Sequence, residues 1–112
     1  MASYAEVTRE IIKGDLYSED FSITKPSMTW TNVSVSGIVK EGSPEGTTFY
    51  TPTITASVSG DTISFTYTIP AATTTTMDAS KTYYGDIRIT ADGFGPLTVA
   101  FITFNIKPTT NT

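Results

Sequence analysis

The chain contains neither cysteine nor histidine. The first absence removes disulfides, thiolate metal sites and thiol nucleophiles. The second removes the commonest general base and the commonest zinc ligand. Basic charge is scarce too: seven Lys and Arg stand against eleven Asp and Glu, for a net charge of −4. The seven are scattered along the chain, so no basic face for nucleic acid is expected. No apolar run approaches the roughly 20 residues that span a bilayer, so no membrane insertion is expected. Met1–Glu6 has neither a basic nor an apolar stretch, so no secretory leader is expected. Nothing in the residue inventory calls for a cofactor or sets up an enzyme's nucleophile and base, so no catalytic residues are expected.

What is present favours β structure. A length of 112 residues fits one domain with a real core, here residues 1–112 with short flexible termini. Threonine makes up about a fifth of the chain. It is β-branched, favours strands, and its hydroxyl suits the wet face of a sheet. The clearest strand runs from Thr62 to Ile69. Ile63, Phe65, Tyr67 and Ile69 alternate there with Thr62, Ser64, Thr66 and Thr68, one buried face against one hydroxyl face.

Six further strands follow from the same reading. Ala5–Lys13 is the first, with a slip in phase between Val7 and Ile11 that suggests a bulge or a change of sheet. Leu16–Thr24 is the second. Trp30–Lys40 is the third, with a bulge expected at Ser36-Gly37. Phe49–Ser59 is the fourth; Pro52 places its early part at an edge or outside the ladder. Ser59-Gly60-Asp61 turns the chain into Thr62–Ile69. Residues 70–80 read as a loop with at most one helical turn. A closing hairpin ends the chain: an alternating strand through Thr90, a turn over Ala91–Pro96, and a final strand Leu97–Ile106. Seven short strands separated by turn signals predict an all-β, two-sheet sandwich of antiparallel strands.

The segment Met77-Asp78-Ala79-Ser80-Lys81-Thr82-Tyr83-Tyr84-Gly85-Asp86-Ile87-Arg88-Ile89-Thr90 resembles the closing hairpin of a phage family. Its members are the immunoglobulin-like N-terminal domains of upper baseplate proteins and related small tail proteins. Ile12-Lys13-Gly14-Asp15, ahead of Phe21-Ser22-Ile23, is similar to that family's early Gly-Asp turn and strand. The resemblance implies an immunoglobulin-like β-sandwich. It also implies a non-enzymatic structural protein of the bacteriophage virion: tail, baseplate, neck or capsid decoration. Such a protein would be assembled in the host cytoplasm with other virion proteins as partners, in many copies or as a homo-oligomer. This chain ends where a baseplate protein continues into a receptor-facing domain, so a small stand-alone subunit is the expectation.

Individual residues are read as follows. Tyr83 fits a tyrosine corner, its ring in the core and its hydroxyl bonded to backbone near Ala79 or Ser80. Tyr83, Ile87, Ile89 and Phe65 are the expected fold determinants. Phe94, between Gly93 and Gly95 at the hairpin tip, is a candidate interface residue, as are Tyr4 and Trp30. Trp30 reads first as an anchor between sheets. A carbohydrate- or host-surface-binding module is the alternative function and needs an exposed row from Trp30, Tyr50 and Tyr67. A fragment of a larger adhesin is another. Asp15, Glu19 and Asp20 offer oxygen ligands, but their spacing matches no calcium loop, so no metal is expected. Asp61, Asp78, Asp86 and Asp92 read as turn residues or as partners of Arg88 or Lys81. Asn32-Val33-Ser34 is a sequon placed inside a predicted strand and is read as chance.

Overall fold

The computed structural model describes residues 5–108, apart from the side chains of Ala5 and Phe94. Nine strands and one helical turn form two sheets: β1 (Ala5–Ile12), β2 (Tyr17–Thr24), β3 (Ser34–Ser36), β4 (Val39–Glu41), β5 (Thr47–Tyr50), β6 (Thr53–Ser59), β7 (Thr62–Ile69), α1 (Ala71–Thr74), β8 (Thr82–Ala91) and β9 (Phe94–Lys107). The larger sheet has the order β1-β9-β8-β4-β5, with β3 also on β8. The smaller sheet has the order β2-β7-β6. The two pack face to face as an all-β sandwich. All ladders are antiparallel except one: β1 runs parallel to β9.

Alternation explains which faces meet. In β7, Ile63, Phe65, Tyr67 and Ile69 are buried, while the outward residues carry hydroxyls. In β8, Tyr83, Ile87 and Ile89 are buried, and in β9 Ile102, Phe104 and Ile106 are. Each such ring or branched aliphatic contributes about 1.5–3 kcal/mol when fully removed from water. The half-buried Tyr17 ring meets two buried rings edge to face, 5.3 Å from Phe104 and 6.2 Å from Tyr67, centroid to centroid.

Three strand expectations change. β1 has neither bulge nor sheet change: its register with β9 is unbroken from Ala5 to Ile12. Val7, Arg9 and Ile11 share the inward side, and the polar Arg9 at the middle position mimics a slip. The third predicted strand is two, β3 and β4, both paired with β8 and separated by Gly37-Ile38. Gly37 is required there, because a Cβ would lie 2.5 Å from the Asp86 carbonyl oxygen and 2.9 Å from Ile54 Cδ1. The fourth is also two. β5 belongs to the larger sheet and β6 to the smaller, and the buried Pro52 lies where the chain changes sheets.

The ends of the sandwich are tied by side chains. The Thr74 hydroxyl, fully buried, donates to the Asp15 carbonyl at 2.7 Å and accepts from the Gly14 N–H at 3.1 Å. This pins α1 against the β1–β2 turn. At the other end the Trp30 indole N–H donates to the Asp61 carbonyl at 2.8 Å, in the β6–β7 turn. Trp30 is only 6% exposed. A buried ring has no face to offer a partner, so Trp30 is corrected from candidate interface to core.

Candidate interaction surface

The outward residues of the larger sheet are not uniformly polar. Phe101 on β9 lies beside Asp86 on β8 and beside Glu6 on β1. Tyr84 on β8 lies between Thr103 on β9 and Lys40 on β4. Ile38, in the break between β3 and β4, donates its backbone N–H to the Asp86 carboxylate at 3.1 Å. Ile38 is therefore held beside this face. Phe101 is 43% exposed and Ile38 41%. Together with Pro44, Gly85 and Ile102 these residues line an open groove of about 420 Å³. Its lining mixes apolar and aromatic groups with the charged side chains of Glu6, Asp86 and Lys40. Large exposed apolar side chains clustered beside polar groups are the usual composition of a contact surface.

The smaller sheet presents the opposite chemistry. Its outward residues are Ser18, Asp20, Ser22 and Thr24 on β2, Thr62, Ser64, Thr66 and Thr68 on β7, and Thr53, Thr55, Ser57 and Ser59 on β6. Neighbouring hydroxyls bond across strands. Thr24 and Thr62 are 2.7 Å apart, and Thr66 donates to Asp20 at 2.9 Å.

The tyrosine corner is present, shifted slightly from its expected partner. The Tyr83 ring is fully buried against Phe49. Its hydroxyl accepts the Asp78 N–H at 2.8 Å and donates to Glu41 at 2.7 Å. Burial, with the Glu41 carboxylate alongside, pushes the Tyr83 hydroxyl up to about 12. The hydrogen bond from Tyr83, joined by Lys81, holds Glu41 below the usual carboxylate range.

The structure brings only some of the sequence candidates together. Tyr83, Ile87, Ile89 and Phe65 all lie in the one core. Phe94 is not at a hairpin tip: the turn is Asp92-Gly93 alone, and Phe94 opens β9 paired with Ala91. Its ring, like Tyr4, lies outside the described residues. Of the three rings proposed for carbohydrate stacking, Trp30 and Tyr67 are buried. They cannot form an exposed row with Tyr50.

Asp61 and Asp92 lie in turns, as expected, while several acidic side chains have partners that the sequence did not point to. Glu19 takes a two-pronged ion pair from Arg9, whose Nε lies 2.7 Å and 2.9 Å from the two carboxylate oxygens, and accepts from the Tyr17 hydroxyl. Asp92 accepts from Asn32 Nδ2 at 2.7 Å, and Asp78 from the Ser80 N–H at 2.9 Å. Lys81 pairs with Glu41 at 3.3 Å. No three acidic side chains converge on a metal position among the described residues. Asn32 lies outside any strand, in a left-handed conformation at φ 53°.

The residues missed in the sequence are Phe101, Tyr84 and Ile38. A signal existed: Phe101 falls on the outward side of a strand whose inward side is Ile102, Phe104 and Ile106. A large aromatic ring stands where the alternation calls for a polar residue.

No family model matches the sequence, and no curated protein matches it. Among solved structures the fold is similar to part of a family 123 glycoside hydrolase from Clostridium perfringens, studied for glycolipid glycan hydrolysis. The match has a TM-score of 0.58 at 15% identity and covers 94% of this chain. The chain spans 23% of that enzyme's length. At this identity the likeness is one of fold.

Proposed function

We propose that this chain is a non-enzymatic structural subunit of a bacteriophage particle that docks on a neighbouring subunit through the outer face of its larger sheet. The observation that carries the reading is the groove on the outer face of the larger sheet, where the exposed Phe101 and Ile38 gather with Tyr84 beside Glu6, Asp86 and Lys40. The strand order, with a tyrosine corner at the start of β8, supports an immunoglobulin-like sandwich. That is the fold implied by the resemblance of residues 77–90 to phage baseplate and tail domains. Apart from the buried Tyr67, the polar groups with shifted titration are hydrogen-bonded across turns and strands, which fits a scaffold. Docking would bury the exposed apolar rings, and many weak copies on one particle would add avidity.

The test is cosedimentation of the purified chain with particles from its own source. The wild type and Ser64→Asp, on the opposite outer face, are expected to bind alike. Phe101→Asp is expected to weaken binding at least about tenfold, the effect of losing a central apolar anchor. Wild-type protein that fails to bind the particles overturns the reading. A second reading, an accessory β-sandwich within a longer glycan-acting polypeptide, is favoured by one observation: the similar region forms 23% of a glycoside hydrolase. Saturable glycan binding by the isolated chain would favour it.

A further inference from the structure

Among the described residues five strands are paired on one side only: β1, β3 and β5 in the larger sheet, β2 and β6 in the smaller. An open edge exposes unpaired N–H and C=O groups and invites another strand, unless it is short, charged or bent. Four of these edges carry such devices, and β3 is only three residues long. β1 holds Glu6, Arg9 and Glu10. β2 holds Glu19 and Asp20. β5 is four residues long. β6 carries none of them. Its seven residues, Thr-Ile-Thr-Ala-Ser-Val-Ser, include no charge, no proline and no glycine. Its register with β7 is unbroken from Thr53 to Ser59, so no bulge turns it away. Val58 on its inward side is 46% exposed at the lip of the sandwich.

We infer that β6 is a self-association edge, where two copies of this chain pair antiparallel about Ala56 and join their smaller sheets into one six-stranded sheet. The occupant follows from the strand's own symmetry. About Ala56, Ile54 falls opposite Val58, Thr55 opposite Ser57, and Thr53 opposite Ser59. Opposed residues share a face in an antiparallel pair, so apolar meets apolar and hydroxyl meets hydroxyl. The half-buried Ile54 covers the partner's exposed Val58, twice, as a two-fold interface requires. Self-pairing of β1 or β2 would bring like charges together in a chain that is already net negative. A neutral strand avoids that penalty. Main-chain hydrogen bonds supply the attraction, as in other cases of strand addition. Seven residues a side bury less than the roughly 1,200 Å² of a stable complex, so the dimer is weak and concentration-dependent.

The inference does not depend on the particle reading, and its test uses the full chain alone. Sedimentation equilibrium from about 10 µM to 1 mM should show a monomer–dimer equilibrium. Ser57→Lys places two lysines on a diagonal about 7–8 Å apart in the dimer and should weaken it at least about tenfold. Ser22→Lys, the same charge change on the β2 edge, should leave it unchanged. Circular dichroism confirms that each variant is folded. A second arm exploits the lack of cysteine: Ala56→Cys meets its own copy at a Cα separation of about 4.5–5.5 Å, within disulfide reach. It should oxidise to a covalent dimer much faster than Ser22→Cys. A wild type monomeric throughout the range overturns the inference. So do lysine variants of equal effect, or cysteine variants that cross-link at equal rates.

Discussion

The two sheets each bury a tyrosine, and they treat its hydroxyl in opposite ways. On the larger sheet, Tyr83 both accepts from the Asp78 N–H and donates to Glu41. On the smaller sheet, the Tyr67 hydroxyl is buried with no hydrogen-bond partner among the described residues. It sits over Gly85, where a Cβ would approach it to 2.8 Å. Burial drives its titration well above the ordinary tyrosine range. The contrast shows where the fold is specified. The larger sheet fixes its geometry with directional bonds at the corner. The smaller sheet supplies ring area, and the larger one makes room for it with a glycine.

The strongest way to break this comparison is to remove each hydroxyl in turn. Tyr83→Phe strips a partner from a backbone N–H and from a carboxylate, so it should cost about 1–3 kcal/mol in urea denaturation. Tyr67→Phe removes an unsatisfied group and keeps the ring, so stability should stay within about 0.5 kcal/mol or rise. Equal losses in the two variants would end the distinction between corner and filler.

Gly85→Ala tests the room that the larger sheet leaves. The new methyl meets both the Tyr67 hydroxyl and, at 3.0 Å, Phe104 Cε2. Overpacking of this kind costs about 1–3 kcal/mol. In a Tyr67→Phe background the hydroxyl clash disappears, so the cost should fall by about 0.5 kcal/mol or more in a double-mutant cycle. An unchanged cost would place the clash on Phe104 alone.

The same contrast explains what the residues disclosed in advance. Thr62–Ile69 was legible because its alternation is strict and its branched and aromatic residues all face inward. Tyr83, Ile87 and Ile89 were legible for the same reason. The extent of β1 was legible but its phase was not, because Arg9 occupies an inward position at the edge of the sandwich, where its head can reach Glu19 on the facing sheet. A long cation at such a place reads as a break in phase. Pro52 was seen as a disturbance, but a change of sheet is a long-range fact that local pattern does not carry. The surface was missed because the glycines around Phe94 suggested an exposed tip. The two-residue Asp92-Gly93 turn instead draws that residue into the ladder. The groove gathers β8, β9 and the β3–β4 break, which only the topology brings together.

The smallest effect concerns the tie between the sheets themselves. Arg9 comes from the edge of the larger sheet and Glu19 from the edge of the smaller. The hydrogen bonds from Arg9, and then from Tyr17, hold the Glu19 carboxyl below its usual range against an opposing effect of partial burial. A carboxyl depressed in the folded state adds stability above its unfolded pKa, near 4.3, and that stability fades as pH falls through the lower folded value. Both partners are partly solvated, so screening keeps the contribution below about 1 kcal/mol. Glu19→Gln should therefore cost little at pH 7 and flatten the loss of stability between about pH 5 and pH 2. Denaturation midpoints across that range measure it. Parallel curves for wild type and variant would mean that the sheets are joined by their core alone, with the ion pair as a solvated border to it.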